Sequence, residues 1–456
     1  MAISVKVAPS TIEATTIRKL RTHIIPFVFV LYVISFIDRI NIGFAALTMN
    51  KALAITSQQF GLLSGVFFWG YFLFEIPSNL LLHRIGARIW IARILVSWGI
   101  VAMLTGLVTT PAHLYILRFL LGVAEAGYFP GILLYLTYWF RQRQLAHAFA
   151  VFLAAVPVAS IVGAPASGLI LDHIHWFGFS SWRWLLILEG VPALLGGALT
   201  WFLLPDRPAD AKFLKPEEKN WLTTEVAREE QDKLTRKRIS VVQTLSDRRV
   251  WHLAAILLSA NIGFYAITFW MPQLIKAASN QASNTTVGML VMVPYFVALV
   301  AMISVGRSSD KRFERHYHAA IPLVVGGISF VLLATISGTS IFLTVALWCV
   351  TVSCIESAYS PIFSLPNEFL AGFSVAAGIA LINSIGSLGG FVGPYAFGAI
   401  NKRTGSFRGG LLFAGVSLLI SAMLILALRK RAEQQAKREL ATVQPSAAAI
   451  PSAHVE

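Results

Sequence analysis

Apolar blocks about 20 residues long, each enough to cross a bilayer, recur along the chain from Ile24 to Leu428. The pattern predicts twelve spans, at residues 24–46, 60–82, 89–108, 112–139, 145–171, 183–204, 250–277, 286–306, 319–336, 340–364, 374–400 and 409–428. These blocks are too long and too continuously apolar for barrel strands. The chain therefore reads as an all-α membrane protein. One long polar stretch, 205–249, opens LPDRPAD, continues as the helix-like FLKPEEKNWLTTEVAREEQDKL, and divides the spans six and six. The predicted organisation is a cytoplasmic N-terminus (1–23), a six-helix bundle (24–204), a linker with an amphipathic helix (205–249), a second six-helix bundle (250–428) and a disordered cytoplasmic tail (429–456).

The halves echo each other. Span 5 carries Gly163, Pro165 and Gly168, and span 11, six helices later, carries Gly386, Gly389, Gly390, Gly393, Pro394 and Gly398. Span 2 ends in LLHRIGAR and span 8 in GRSSDKR, again six apart. Two pseudo-symmetric six-helix bundles around a central site are a transporter layout. The glycines are expected to allow close helix packing and to shape a cavity rather than touch solute.

Composition agrees with this reading: 56% of the 456 residues are hydrophobic and 13% charged, too little polar surface for a soluble chain. An excess of 37 Lys and Arg over 22 Asp and Glu invites a nucleic-acid partner. The positions argue otherwise. Twenty-eight of the basic residues fall in segments on the N-terminal side of the membrane, six fall on the opposite side, and Arg39, Arg93 and Arg118 fall within spans. That bias predicts a multi-pass plasma-membrane protein, of bacterial inner-membrane type, with both termini cytoplasmic. The first apolar block is longer than a signal-peptide core and has no small-x-small cleavage site, so it is expected to be retained. Cys349 and Cys354 share one predicted helix and suggest neither a disulfide nor a metal site. His173, His175, His316 and His318 read as solvated loop residues. With no phosphate-binding glycine loop, zinc-ligand spacing or nucleophile elbow, no cofactor or metal is expected and no enzyme chemistry is indicated.

Chemistry concentrates in LYVISFIDRINIGFA, where Asp38 and Arg39 stand inside a span. A charge at membrane depth costs about 2.5–3.5 kcal/mol, so something inside the protein must receive it. At 1.5 Å per residue, Arg39 in span 1 and Arg118 in span 4 are both expected about 10 Å below the outer surface. Glu125 follows Arg118 by two helical turns on one face. Tyr71 in span 2 and Asn383 in span 11 fall near mid-membrane. Two guanidiniums with hydroxyl and amide groups at one depth suit an organic carboxylate, which Arg can hold with two parallel hydrogen bonds. An acid among apolar helices can take a proton there and release it on exposure, as proton coupling requires. Structural roles remain open beside these: a static Asp38–Arg39 pair, an interhelical Arg118–Glu125 network, Tyr71 as core, Asn383 as interhelical glue. Glu75 with Arg93, and Glu189 with Arg183, read as structural pairs, while Glu356 in span 10 has no assignable partner. Phe36, Phe68, Trp69, Tyr128, Tyr265 and Tyr359 permit an aromatic substrate but equally suit membrane cores.

The loop Gly306-Arg307-Ser308-Ser309-Asp310-Lys311 resembles the signature of the major facilitator superfamily. Its N-terminal copy departs from that signature, with Asn79 in place of Gly and His83 in place of Asp. Within the superfamily, FIDRINIGFA, YFLFEIPSNLLLHRIGAR, RFLLGVAEAGYFPG, SSWRWLLILEG and LPDRPADAKFL resemble the anion:cation symporter family, whose members take up tartrate, phthalate, sugar acids and hydroxyphenylacetate. The resemblance covers nearly the whole chain. It implies a monomeric secondary transporter importing an organic anion with protons. Arg39 and Arg118 would then meet the substrate carboxylate, Tyr71, Asn383 and Tyr359 the rest of the molecule, and Asp38 and Glu125 the proton. Arg84, Arg88 and Asp310 would belong to the gating loops. A proton-independent exchanger or facilitator of the same fold is the alternative. A sensor is disfavoured because the linker and tail are short and polar.

Overall fold

The computed structural model describes residues 11–235, 246–336, 340–368 and 373–443, and helix dominates all four stretches. In chain order the helices are α1 (Thr11–Ala52), α2 (Ser57–Ile85), α3 (Ala87–Thr105), α4 (Pro111–Glu125), α5 (Tyr128–Thr137), α6 (Gln142–Leu153), α7 (Ala155–His173) and α8 (Ser181–Leu203). The linker helix α9 (Pro216–Thr235) follows, then α10 (Arg248–Ala278), α11 (Asn284–Arg312), α12 (His316–Ile336), α13 (Ile341–Ser364), α14 (Phe373–Ser387), α15 (Gly389–Thr404) and α16 (Arg408–Val443). Among the described residues, twelve helical segments are long and apolar enough to span a membrane, with α4–α5, α6–α7 and α14–α15 each making one interrupted span. In lipid the backbone must satisfy its own hydrogen bonds, which is why helices carry every crossing.

Local chemistry sets many of the ends. Thr56 and Gln59 form a reciprocal capping box at the start of α2, and Thr110 caps α4 ahead of Pro111. Span 4 breaks directly after Glu125, where Gly127 takes a left-handed φ of 81°. Two ends differ from expectation. Helix α1 begins at Thr11 within the polar N-terminal segment, because nothing in TIEATTIRKLRTH breaks a helix. At the other end α16 runs on to Val443, through a tail read as disordered, whose Ala, Glu, Gln, Lys and Arg are strong helix formers. Residues 444–456 lie outside the described residues.

The linker docks on the N-terminal half. Lys19 pairs with Glu218 at 2.7 Å, Phe213 stacks on His23, and Arg141 binds Glu13 and Glu225 while lying 4.8 Å over Trp221. We call the face with the Lys- and Arg-rich segments the basic face and the opposite one the far face.

The halves meet closely on the far face. A Cβ added at Gly168 would lie 2.4 Å from the Asn284 carbonyl oxygen, and one at Gly288 2.3 Å from that of Ala164. Only glycine permits that approach of α7 to α11. Asp172 then accepts from both backbone N–H groups at the start of α11, Asn284 at 3.2 Å and Thr285 at 2.7 Å, and from both their side chains at 2.8 Å. On the other seam Asn401 donates to Ser57 at 3.1 Å, Lys402 to Gln58 at 3.1 Å, and Gln58 to Tyr395 at 3.4 Å.

Candidate functional site

A cleft between the halves encloses about 760 Å³ of empty space, counting its open mouth. Arg39 and Tyr71 line it from the N-terminal half, and Asn261, Glu356, Tyr359 and Asn383 from the other. Its walls are otherwise mostly aromatic, with Phe36, Phe68, Phe264 and Tyr265 among them. Of the remaining aromatics singled out from the sequence, Trp69 packs on Phe391 and Tyr128 lies behind Tyr32, and neither reaches the cleft.

Arg39 is the hinge between cleft and interior. Its Nη2 is ion-paired to Glu125, which also accepts from Ser35 at 3.1 Å, and its Nη1 faces the Tyr265 hydroxyl at 3.4 Å. The guanidinium lies 5.3 Å from the Phe67 ring centroid and 5.6 Å from that of Tyr71. Arg118 sits 5.4 Å from the same Phe67 ring, so the two cations share one aromatic ring. Arg118 is only 1% exposed, and its Nε and Nη2 have no hydrogen-bond partner. Neither it nor Asp38 nor Glu125 lines the cleft. They form a buried network behind Phe67, in which Asp38 and Glu125 both act electrostatically on Arg118.

Asp38 and Arg39 are not paired with each other. The Asp38 carboxylate accepts from Trp98 Nε1 at 2.6 Å and Asn41 Nδ2 at 3.1 Å, while Arg39 turns to Glu125. Neighbours on a helix point about 100° apart, which separates them. Helix α1 continues to Ala52, about 20 Å beyond Arg39 at helical rise.

Two structural pairs expected from depth do not form. Glu75 crosses to the second half, accepting from Asn383 at 2.7 Å and Ser384 at 2.8 Å, while Arg93 lies 3.9 Å over the Trp90 ring. Glu189 accepts from Ser167 at 2.7 Å, and Arg183 donates to the Gly106 carbonyl at 3.0 Å. Depth put each acid near a cation, but helix rotation turned them apart. Tyr359 donates to Asn261 at 2.5 Å, and Asn261 in turn to the Gly386 carbonyl at 2.8 Å.

The residues expected in gating loops lie instead in the end turns of α2, α3 and α11. Arg88 meets Asp206, which accepts from its backbone N–H at 2.8 Å and faces its Nε at 3.5 Å. Asp310 pairs with Arg315 at 2.5 Å, and Arg84 is exposed. Sequence reasoning missed Ser35, Asn261, Trp98 and Ser384. Ser35 was findable, standing one turn before Arg39 on the same face. Asn261 was equally visible as an amide within an apolar span. Trp98 and Ser384 carry no such local signal.

The chain is similar to known proteins over most of its length. The family model described as Major Facilitator Superfamily matches residues 28–394 and, in a second match, 274–454. A protein of Agrobacterium vitis named "Putative tartrate transporter" is 46% identical over 427 residues, covering 93% of each chain. A "Quinolone resistance transporter" of Acinetobacter baumannii is 36% identical, covering 93% of this chain and 97% of its own. Among solved structures, the xylose transporter XylE from E. coli, in a partially occluded inward-open conformation, superposes with a TM-score of 0.71 at 13% identity, over 89% of this chain and 96% of XylE.

Proposed function

The chain belongs to the Major Facilitator Superfamily, a transporter family and not an enzyme family, and from that premise we propose that it imports a small organic carboxylate by proton symport with alternating access. One observation carries the reading: Arg39 is both a wall of the cleft and the ion-pair partner of buried Glu125. A substrate carboxylate that takes the Arg39 guanidinium at Nη2 displaces Glu125. An unpaired buried carboxylate costs several kcal/mol, which a proton removes, so binding of the anion and uptake of the proton are linked. Asp38, held by the neutral donors Trp98 and Asn41, is the second acid in proton reach of this network. Arg118, with two partnerless N–H groups, joins the carboxylate once Phe67 turns aside. Tyr71, Tyr359 and Asn383 contact the rest of the molecule, Asn383 after leaving Glu75. Arg84, Arg88 and Asp310, in the end turns of α2, α3 and α11 beside the connecting loops, belong to the gate that moves between states.

The name of the Agrobacterium relative supports a tartrate-like acid as cargo. Charge placement supports the plasma membrane, with the basic face and both termini cytoplasmic. In proteoliposomes, tartrate driven inward should acidify the lumen. Arg118→Ala should abolish transport, while Glu125→Gln should keep tartrate counterflow but lose uphill accumulation. Wild-type uptake indifferent to pH gradient and uncoupler would instead indicate a proton-independent exchanger or facilitator.

A further inference from the structure

Glu356 is the one acid on the cleft wall contributed by the second half, among the described residues. It is 4% exposed, and its Oε1 is buried with no hydrogen-bond partner. The donors around it are engaged elsewhere. Tyr359 gives its hydroxyl to Asn261, Asn261 gives its amide to Gly386, and Tyr295 on α11 is turned to Thr268 and Ser160. Among the described residues no ion pair includes Glu356, whereas Tyr32 and Tyr265 lie within electrostatic range of both Glu356 and Arg39. All four residues line the same cleft. A bare carboxyl in an aromatic chamber is expensive, and a group held at that cost calls for a partner arriving from outside.

We propose that Glu356 is the second anchor of the cargo, accepting from a hydrogen-bond donor, O–H or N–H, at the end of the molecule remote from the carboxylate taken by Arg39. The transported acid is then bifunctional. One end is read by the charged network of the first half, and the other by a lone acceptor on α13, so a single ligand bridges both halves. This rests on the organic-carboxylate reading and narrows it: acids with a plain alkyl end fill the cleft but leave Glu356 unsatisfied.

The test is isothermal titration of the full-length protein in detergent with butanoate and hexanoate, each against its terminal hydroxy and terminal amino derivatives. The wild type should prefer at least one derivative over its parent acid by about tenfold or more. Glu356→Met, which keeps volume but removes both oxygens, should bring that ratio close to unity, with Glu356→Ala as the second variant. Glu356→Gln separates the donors: it keeps a preference for a hydroxyl, through its amide oxygen, and loses one for an ammonium. Equal binding of parent and derivatives by the wild type, or a preference that survives both Met and Ala, overturns the assignment while leaving the carboxylate reading intact. If neither the acids nor tartrate bind the wild type, the carboxylate reading fails and this inference with it.

Discussion

The two halves share a helix order, a pair of interrupted fifth and eleventh spans and a close seam on the far face, yet they differ in what they bury. Asp38, Arg39, Glu75, Arg118, Glu125 and Glu189 are buried charges of the first half, whereas among the described residues Glu356 stands alone within the second bundle. Their seams differ in the same way. Asp172 of the first half caps the start of α11 with four bonds of 2.7–3.2 Å, while the symmetry-related seam between α15 and α2 joins uncharged groups and one lysine at 3.1–3.4 Å. Even the third helix of each half is capped differently. Asp206, far along the chain, receives the Arg88 N–H at the start of α3, but Glu314, immediately before α12, receives those of Tyr317 and His318. Repetition supplies the architecture. Chemistry gathers in one copy because each buried charge is costly and needs partners already in place.

The largest expected effect probes the charged network directly. Arg39→Ala leaves Glu125 without its cation, and removing one member of a buried pair costs about 3–5 kcal/mol. Arg39→Ala with Glu125→Gln should recover most of that, and Glu356→Met should stay within about 1 kcal/mol of wild type, since an acid without partners loses none. Denaturant unfolding in detergent measures all three. An Arg39→Ala protein no less stable than Glu356→Met would erase the contrast between the halves.

Next comes the seam. Asp172→Ala removes a charge-assisted cap worth about 1.5–3 kcal/mol, and should shift the population toward a far-face-open state by roughly tenfold or more. Asn401→Ala should shift it much less. Distances between spin labels at Lys51 and Arg403, exposed positions on opposite halves, report the opening. Equal shifts from the two substitutions would show that the seams are energetically alike.

The smallest effect sharpens the comparison of caps. Burial pushes the Glu314 carboxyl up, but the Tyr317 N–H and the His318 side chain and N–H outweigh it and hold the group below its ordinary value of 4.5. A carboxylate depressed in the folded state stabilises above that ordinary value and loses its contribution as pH falls through the folded one. Wild type should therefore exceed Glu314→Gln by about 1 kcal/mol near neutrality, with the difference lost as pH falls through the depressed folded-state value. A difference independent of pH would mean that the cap acts by shape and not by charge.

Much of this protein is legible in its order of residues. Twelve spans, the six-and-six division and the placement of basic loops follow from apolar block length and from the cost of moving lysine and arginine across lipid. That Asp38, Arg39, Arg118 and Glu125 need an interior also follows, because hydrocarbon cannot receive them. Who partners whom does not. Depth put Glu75 beside Arg93, yet Glu75 reaches Asn383 and Ser384 in the other half; adjacency put Asp38 beside Arg39, yet Trp98 holds the first and Glu125 the second. Depth is written in position along a helix, which local sequence specifies. The direction a side chain faces depends on how each helix is rotated against its neighbours, and that is settled only when glycine-lined surfaces such as Gly168 and Gly288 pack and bring distant spans into contact.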